Sequence, residues 1–375
     1  MYQQAAIIPP YRWPKKACGE GDFMFPLPPQ FLRCVAFLCE AELGANGAVE
    51  NIPTGTAFFV RWPDEINPSQ KWSYIVTARH CIEEPASQDL FLRVNTHASD
   101  AATGLGYKDI ATKKLDWHTH DSADVAAMLF ADEDENVDFA MFPSELFINK
   151  DYAFVPNVEI HGQAFTDFFM GKWGHIPMQL GMDLSFGGLF IQSVGDRRNL
   201  PIVRFGSISR LPTDELIYLD TPSRGAIGIR AYLAECRSWG GHSGSPVLWH
   251  FVFNMNVIED DGRLLALAPL HATALLGLVS AHFDIDIEAK HSPEAVVIPI
   301  NSGMAIVTPA ENIRELLARE DLVEERNRRR QPVRRKLATA DSAKRTNRDI
   351  DIPPIARDDF FDALKKATRK RKPSS

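Results

Sequence analysis

The chain has 375 residues, of which 45% are hydrophobic and 24% charged, with a formal net charge of −8. That length accommodates one large domain or two medium ones, and the balance excludes a chain disordered throughout. Five cysteines, at positions 18, 34, 39, 81 and 236, are too few and too scattered for a disulfide framework. Without a Cys-x-x-Cys pair they argue against a thiolate zinc site.

The charge is unevenly spread. Residues 326–375 hold 17 Lys/Arg and six Asp/Glu, which leaves 24 Lys/Arg and 43 Asp/Glu in residues 1–325. An acidic body and a basic tail imply a tail that contacts an acidic partner or the body itself. No aromatic residue interleaves the basic run at 326–345, so base stacking on nucleic acid is not supported. The favoured expectation for the tail is a solvated, flexible one.

Residues 1–30 are rich in proline and are expected to lie extended over the surface. No charged start precedes a long apolar run, so no secretory signal is read; with an odd number of cysteines, the expected location is the cytoplasm. From Phe31 onward, short apolar runs alternate with turn residues: Phe31–Leu38, Thr56–Val60, Tyr74–Thr77, Asp89–Val94 and Val125–Phe130. A second set follows at Ile202–Phe205, Leu216–Leu219, Pro246–Phe253, Leu264–Leu270, Leu275–Ser280 and Val296–Ile300. This spacing predicts an all-β barrel or sandwich. Leu264 to Phe283 carries no charge and is long enough for a membrane span, but two successive buried strands are preferred, and no membrane span is expected. Thr308, Pro309 and Glu311 predict an N-cap, a first-turn proline and a capping-box acid. Ile313, Leu316, Leu317 and Leu322 extend the helix to about residue 323. A further short helix is predicted over Asp358–Lys366.

Three segments carry chemistry. Tyr74 to Cys81 is an apolar strand ending in a turn that presents His80. Asp124 leads directly into a second apolar run. Gly241-His242-Ser243-Gly244-Ser245-Pro246 sets glycines on both sides of a serine, where the backbone can bend tightly and free its amides. A serine hydroxyl needs an adjacent base to become a nucleophile, and histidine can take that proton and return it. A carboxylate fixes the tautomer of the imidazole and stabilises the imidazolium. Amides near Gly241 and Ser243 could bind an oxyanion.

These segments resemble the motifs of trypsin-like (chymotrypsin-fold) serine proteases: Thr-Ala-x-His-Cys at the base, Asp-[Ile/Val/Leu]-Ala at the acid and Gly-x-Ser-Gly-[Gly/Ser]-Pro at the nucleophile. The resemblance covers about residues 31–325. It implies two six-stranded antiparallel β-barrels with a C-terminal helix, and peptide-bond hydrolysis on protein or peptide substrates. It places His80, Asp124 and Ser243 on the catalytic positions, Gly241 and Ser243 on the oxyanion hole, and Ser280 near Asp124 on the strand Leu276–Ser280 that lines the cleft. The Gly-x-Ser-Gly-Ser-Pro variant and the missing disulfides look more like the bacterial branches. No metal or organic cofactor is implied.

Other positions leave alternatives. Asp138 is a second candidate acid, but it follows an acidic cluster and Asp124 is favoured. Cys81 has no cysteine partner in the strand Thr54–Val60 and is expected to be a free buried thiol. The 119-residue separation of Asp124 and Ser243 implies an insertion near Asn149–Trp173. Arg237, six residues before Ser243, falls at the base of the family's specificity pocket, unless that loop is built differently and the side chain points to solvent. His242 occupies a variable family position and is expected to be partly buried. His282 either touches substrate or is a loop residue. His118 and His120 could share one strand face and hold a metal, but no third ligand is evident. A catalytically silent, protease-like binding or scaffolding domain tethered by the tail is the alternative function.

Overall fold

A computed structural model describes residues 29–337, apart from 44–46, 68–69, 86, 88, 101–102, 132–135, 149–151, 155–158, 161–162, 165–174, 223, 259–263 and 289–296. The proline-rich segment up to residue 28 and the helix predicted over Asp358–Lys366 lie outside the described residues, as does most of the expected insertion.

The first half of the chain forms an eight-stranded sheet. Its strands are β1 (Val35–Leu43), β2 (Val49–Pro63), β3 (Lys71–Thr77), β4 (Asp89–Asn95), β5 (Tyr107–Lys113), β6 (His118–Thr119), β7 (Ala126–Leu129) and β8 (Phe142–Pro143). They run in the order β5-β4-β1-β2-β3-β7-β6, with β8 parallel beside β2. A one-turn helix, α1 (His80–Glu83), follows β3. The apolar run Ala57-Phe58-Phe59-Val60 is continuous because the sheet is buried on both faces. Phe58 and Val60 point into one core with Tyr74, Val76 and Val125, while Ala57 and Phe59 point into another with Ile75, Leu92 and Phe139.

Short ladders follow, in which β9 (Tyr152–Phe154) pairs with β12 (His175–Pro177) and β10 (Glu159–Ile160) with β11 (Gln163–Ala164). The second half closes into a barrel of β13 (Asp183–Gly188), β14 (Ile202–Arg210), β17 (Tyr232–Glu235), β20 (Val297–Pro309), β19 (Leu264–Glu288) and β18 (Pro246–Ile258). Closure pairs β13 with β18 and leaves the barrel no free edge. A hairpin of β15 (Ile217–Thr221) and β16 (Gly225–Ile229) packs Ile217, Leu219 and Ile229 against Ile306 of the barrel. The fold is thus mostly β, with one closed six-stranded antiparallel barrel; the first sheet is an open path of seven strands with β8 beside it, and a second closed barrel is not shown.

Four sequence expectations change here. The uncharged stretch from Leu264 is one long strand, not two, because β19 pairs along its length with β18 and then β20, with bulges near Val279 and His282 instead of a turn. Gly277 sits inside it because a Cβ there would lie 1.9 Å from the Thr308 carbonyl oxygen. Thr308 is the penultimate residue of β20 rather than a helix cap; Pro309 takes the cap position. The terminal helix is two helices, α2 (Ala310–Leu317) and α3 (Glu320–Leu337). Helix α3 runs well past Arg326, where a flexible tail was expected to start. Its reason is burial and pairing: Arg326 is fully buried, bonding Tyr74 Oη at 2.7 Å and Glu65, and Arg330 pairs with the buried Asp64. The start of the basic tail thereby contacts the acidic body. Ala310, Ile313, Leu316, Leu317 and Leu322 complete the core that holds Phe58 and Tyr74. Among the described residues no helix is long and apolar enough to cross a membrane.

Candidate active site

His80 leaves the end of β3 at the first residue of α1, and Asp124 stands just before β7, the neighbour of β3. Adjacent strands thus bring the two residues together across 44 positions. The His80 amide donates to Asp124 Oδ1 at 3.0 Å, and His80 Nδ1 lies 2.9 Å from Oδ2. Asp124 is 1% exposed. Burial raises its pKa, but His80 and a Ser280 hydroxyl hydrogen bond hold it below the usual carboxylate value. Ser280 is itself buried and its Oγ lies 2.6 Å from Thr308 Oγ1. For His80, burial favours the neutral ring; the Cys81 sulfur and Asp124 outweigh it and raise the pKa well above 6.5.

Ser243 is half-buried on the turn between β17 and β18. That turn is fastened both to the first sheet and to β19 of the barrel. Its carbonyl accepts from the Thr56 amide at 2.9 Å, and the Gly244 amide donates to Val279 O at 2.7 Å. Thr56 Oγ1 donates to Gly241 O at 2.7 Å and accepts from the Leu189 amide at 2.9 Å, tying the turn to β2 and to the end of β13. Glycine is required at 244: its φ is +83°, and a Cβ would meet Thr56 O at 2.0 Å and Thr77 Oγ1 at 2.3 Å. The serine turn therefore packs against the last residues of β3, just before His80. Gly241 has φ +92°, and neither its amide nor that of Ser243 donates a hydrogen bond among the described residues.

No hydrogen bond joins His80 to Ser243. His80 Nε2 instead lies 3.6 Å from Cys81 Sγ. Cys81 is free and only partly buried. Where a partner cysteine was sought in β2 stands Gly55, and a Cβ there would be 3.7 Å from that of Cys81, a separation that suits a disulfide. Gly55→Cys is expected to oxidise with Cys81. Thiol titration of the denatured, unreduced protein should find one fewer free thiol than in the wild type, with stability raised by about 3 kcal/mol. An unchanged or higher thiol count would contradict that spacing.

Other sequence candidates fall elsewhere. Asp138 pairs with Arg33 at 2.6 Å and lies near His97 and Arg198, whereas the carboxylate on His80 is that of Asp124. Arg237 is exposed, in line with the reading in which its side chain points to solvent. His242 is fully buried, contrary to expectation, because the turn folds around it: its Nδ1 accepts from the Trp239 amide at 2.9 Å, and its ring meets Phe186 edge-on. Burial, with Arg204 and His282 nearby, lowers its pKa to about 4 against the Trp239 backbone bond. His282 is half-buried, with Nε2 3.4 Å from Asp284. His118 and His120 do not converge on a common point; each meets carboxylates of the C-terminal helices. Sequence reasoning missed the clamp role of Thr56 and these helix carboxylates. Asp321 and Glu325, one helical turn apart in a chain with a nearby His-x-His, were the available signal.

No protein-family model matches the chain, and no curated protein does. Among solved structures, that of HBP (heparin-binding protein, a trypsin-like protease homologue) is similar over 77% of this chain and 91% of its own, at 11% identity and a TM-score of 0.35. At that overlap the likeness assigns no role to any residue here.

Proposed function

We propose that the chain is a serine endopeptidase that hydrolyses peptide bonds through an acyl-enzyme intermediate, on the trypsin-like plan, with the first sheet in the place of a second barrel. The observation that carries this reading is the double contact of His80 with the buried Asp124 carboxylate, beside a serine turn bonded to Thr56 of β2, the strand next to β3. Asp124 binds Nδ1, so Nε2 is the nitrogen left to act. Ser243 Oγ attacks the substrate carbonyl carbon while His80 Nε2 takes its proton, and the proton passes to the leaving amine as the C–N bond breaks. The Gly241 and Ser243 amides hold the oxyanion. Water, activated by the same imidazole, then hydrolyses the ester. Ser280 steadies Asp124, and His282 lies beyond it on the strand that would line the substrate cleft. These steps require no metal or cofactor.

The silent-domain reading has one observation in its favour: Nε2 faces Cys81 and makes no hydrogen bond to Ser243. A fluorophosphonate serine probe separates the two. Wild-type protein is expected to label, and Ser243→Ala and His80→Ala are expected not to. An unlabelled wild type, or label that persists in Ser243→Ala, would sink the proposal.

A further inference from the structure

The segment leading to Asp124 is tied at every residue from Thr119 to Ala123. Arg319, between α2 and α3, donates to Thr119 O at 2.8 Å and lies 3.6 Å from an Asp121 carboxylate oxygen; Arg224 donates to Asp121 O. The His120 amide donates to Val125 O at 2.9 Å, and its carbonyl accepts from the Arg79 guanidinium. Its ring does the rest. His120 Nδ1 accepts from the Ser122 amide at 3.2 Å and the Ala123 amide at 3.0 Å. A nitrogen that accepts carries no proton, so the proton sits on Nε2, 3.2 Å from Glu315 Oε2 on α2.

We propose that His120 is a positioning residue for Asp124. Its neutral imidazole, oriented by Glu315, gathers the two amides of the turn immediately before the carboxylate and so sets the angle at which Asp124 meets His80. This rests on the triad reading above and makes helix α2 part of the machinery. A ring of the other tautomer would present N–H to N–H, and the turn would open.

The test uses the whole protein and two readouts. One is the downfield proton NMR resonance of the His80 Nδ1–H to Asp124 hydrogen bond, which does not depend on Ser243 reacting. The other is the rate of fluorophosphonate labelling. His120→Ala is expected to lose the resonance and to label about 10²-fold more slowly, the scale of a misplaced catalytic group. His120→Asn offers an amide oxygen to the same two N–H groups and should restore both. Glu315→Lys, at an exposed position, sets a cation against Nε2 and favours the wrong tautomer; it should weaken both readouts without lowering Tm. If His120→Ala fails to fold, Glu315→Lys decides. An unchanged resonance and rate in His120→Ala, or a folded His120→Asn that restores neither, overturns the inference. If the wild type does not label but the resonance vanishes in His120→Ala and returns in His120→Asn, the positioning role stands and the acylation reading falls.

Discussion

Replacing Asp124 by Asn is expected to slow acylation of Ser243 by about 10⁴-fold with the fold intact, because an amide at this position stabilises the wrong tautomer of His80 and cannot stabilise its imidazolium. The pH profile should change as well. The general base must be neutral, and His80 carries a pKa raised well above 6.5 by Cys81 and Asp124 against the effect of burial. The wild-type labelling rate should therefore climb with pH through an inflection above 6.5, and that inflection should move down in Asp124→Asn. Stability responds in the opposite sense. A raised histidine stabilises the fold fully below its unfolded pKa, and this is lost as pH rises through the folded value. A lowered carboxylate stabilises above its unfolded pKa and loses this as pH falls through the folded value. The wild type should thus exceed Asp124→Asn most in stability between about pH 4 and 6.5. Labelling rates across pH 5–9 and melting curves on both proteins check this; equal rates would remove Asp124 from the mechanism.

Truncation after Glu325 should destabilise the chain by about 3–5 kcal/mol, the usual cost of stripping one partner from a buried ion pair. Asp64 has a fully buried side chain, and Arg330 is its counter-charge. Burial raises its pKa, but the Asn67 amide, Arg330, the Ile66 amide and Trp72 Nε1 together bring it below the ordinary value. Deleting Arg330 leaves the three uncharged donors to hold a buried carboxylate, and Tyr74 and Glu65 lose Arg326 in the same cut. Tm should fall by roughly 10 °C. Arg330→Met should account for a large part of the loss, because it removes the charge and keeps the packed stem. A truncated protein as stable as the full chain would show that the contacts of α3 contribute little. A rise in labelling on truncation would show the helix acting as a restraint on the site.

What could be read from the sequence was local. Strand β3 and the turn at His80, the run after Asp124 and the glycine-flanked Ser243 are each set by neighbours within a few residues, and two of the three, His80 and Asp124, meet because their strands are adjacent. The apolar runs of the first half were legible because their sheet is buried on both faces. The features that escaped are long-range. Arg326 pairs across 261 residues with Glu65, and His118 across 203 with Asp321. A run of arginines reads as solvated until its carboxylates are known. His242 was misplaced because its exposure depends on how one loop winds, which spacing from Ser243 does not define.

The order of assembly follows from where α2 and α3 dock. The core between Phe58, Tyr74 and Val125 is finished by Ile313, Leu316 and Leu322, residues made after the whole barrel. A chain emerging from the ribosome therefore carries this face of its first sheet without its final cover until α2 and the start of α3 have been made. The two halves cannot mature in the order in which they are translated. The first to be made is the last to close.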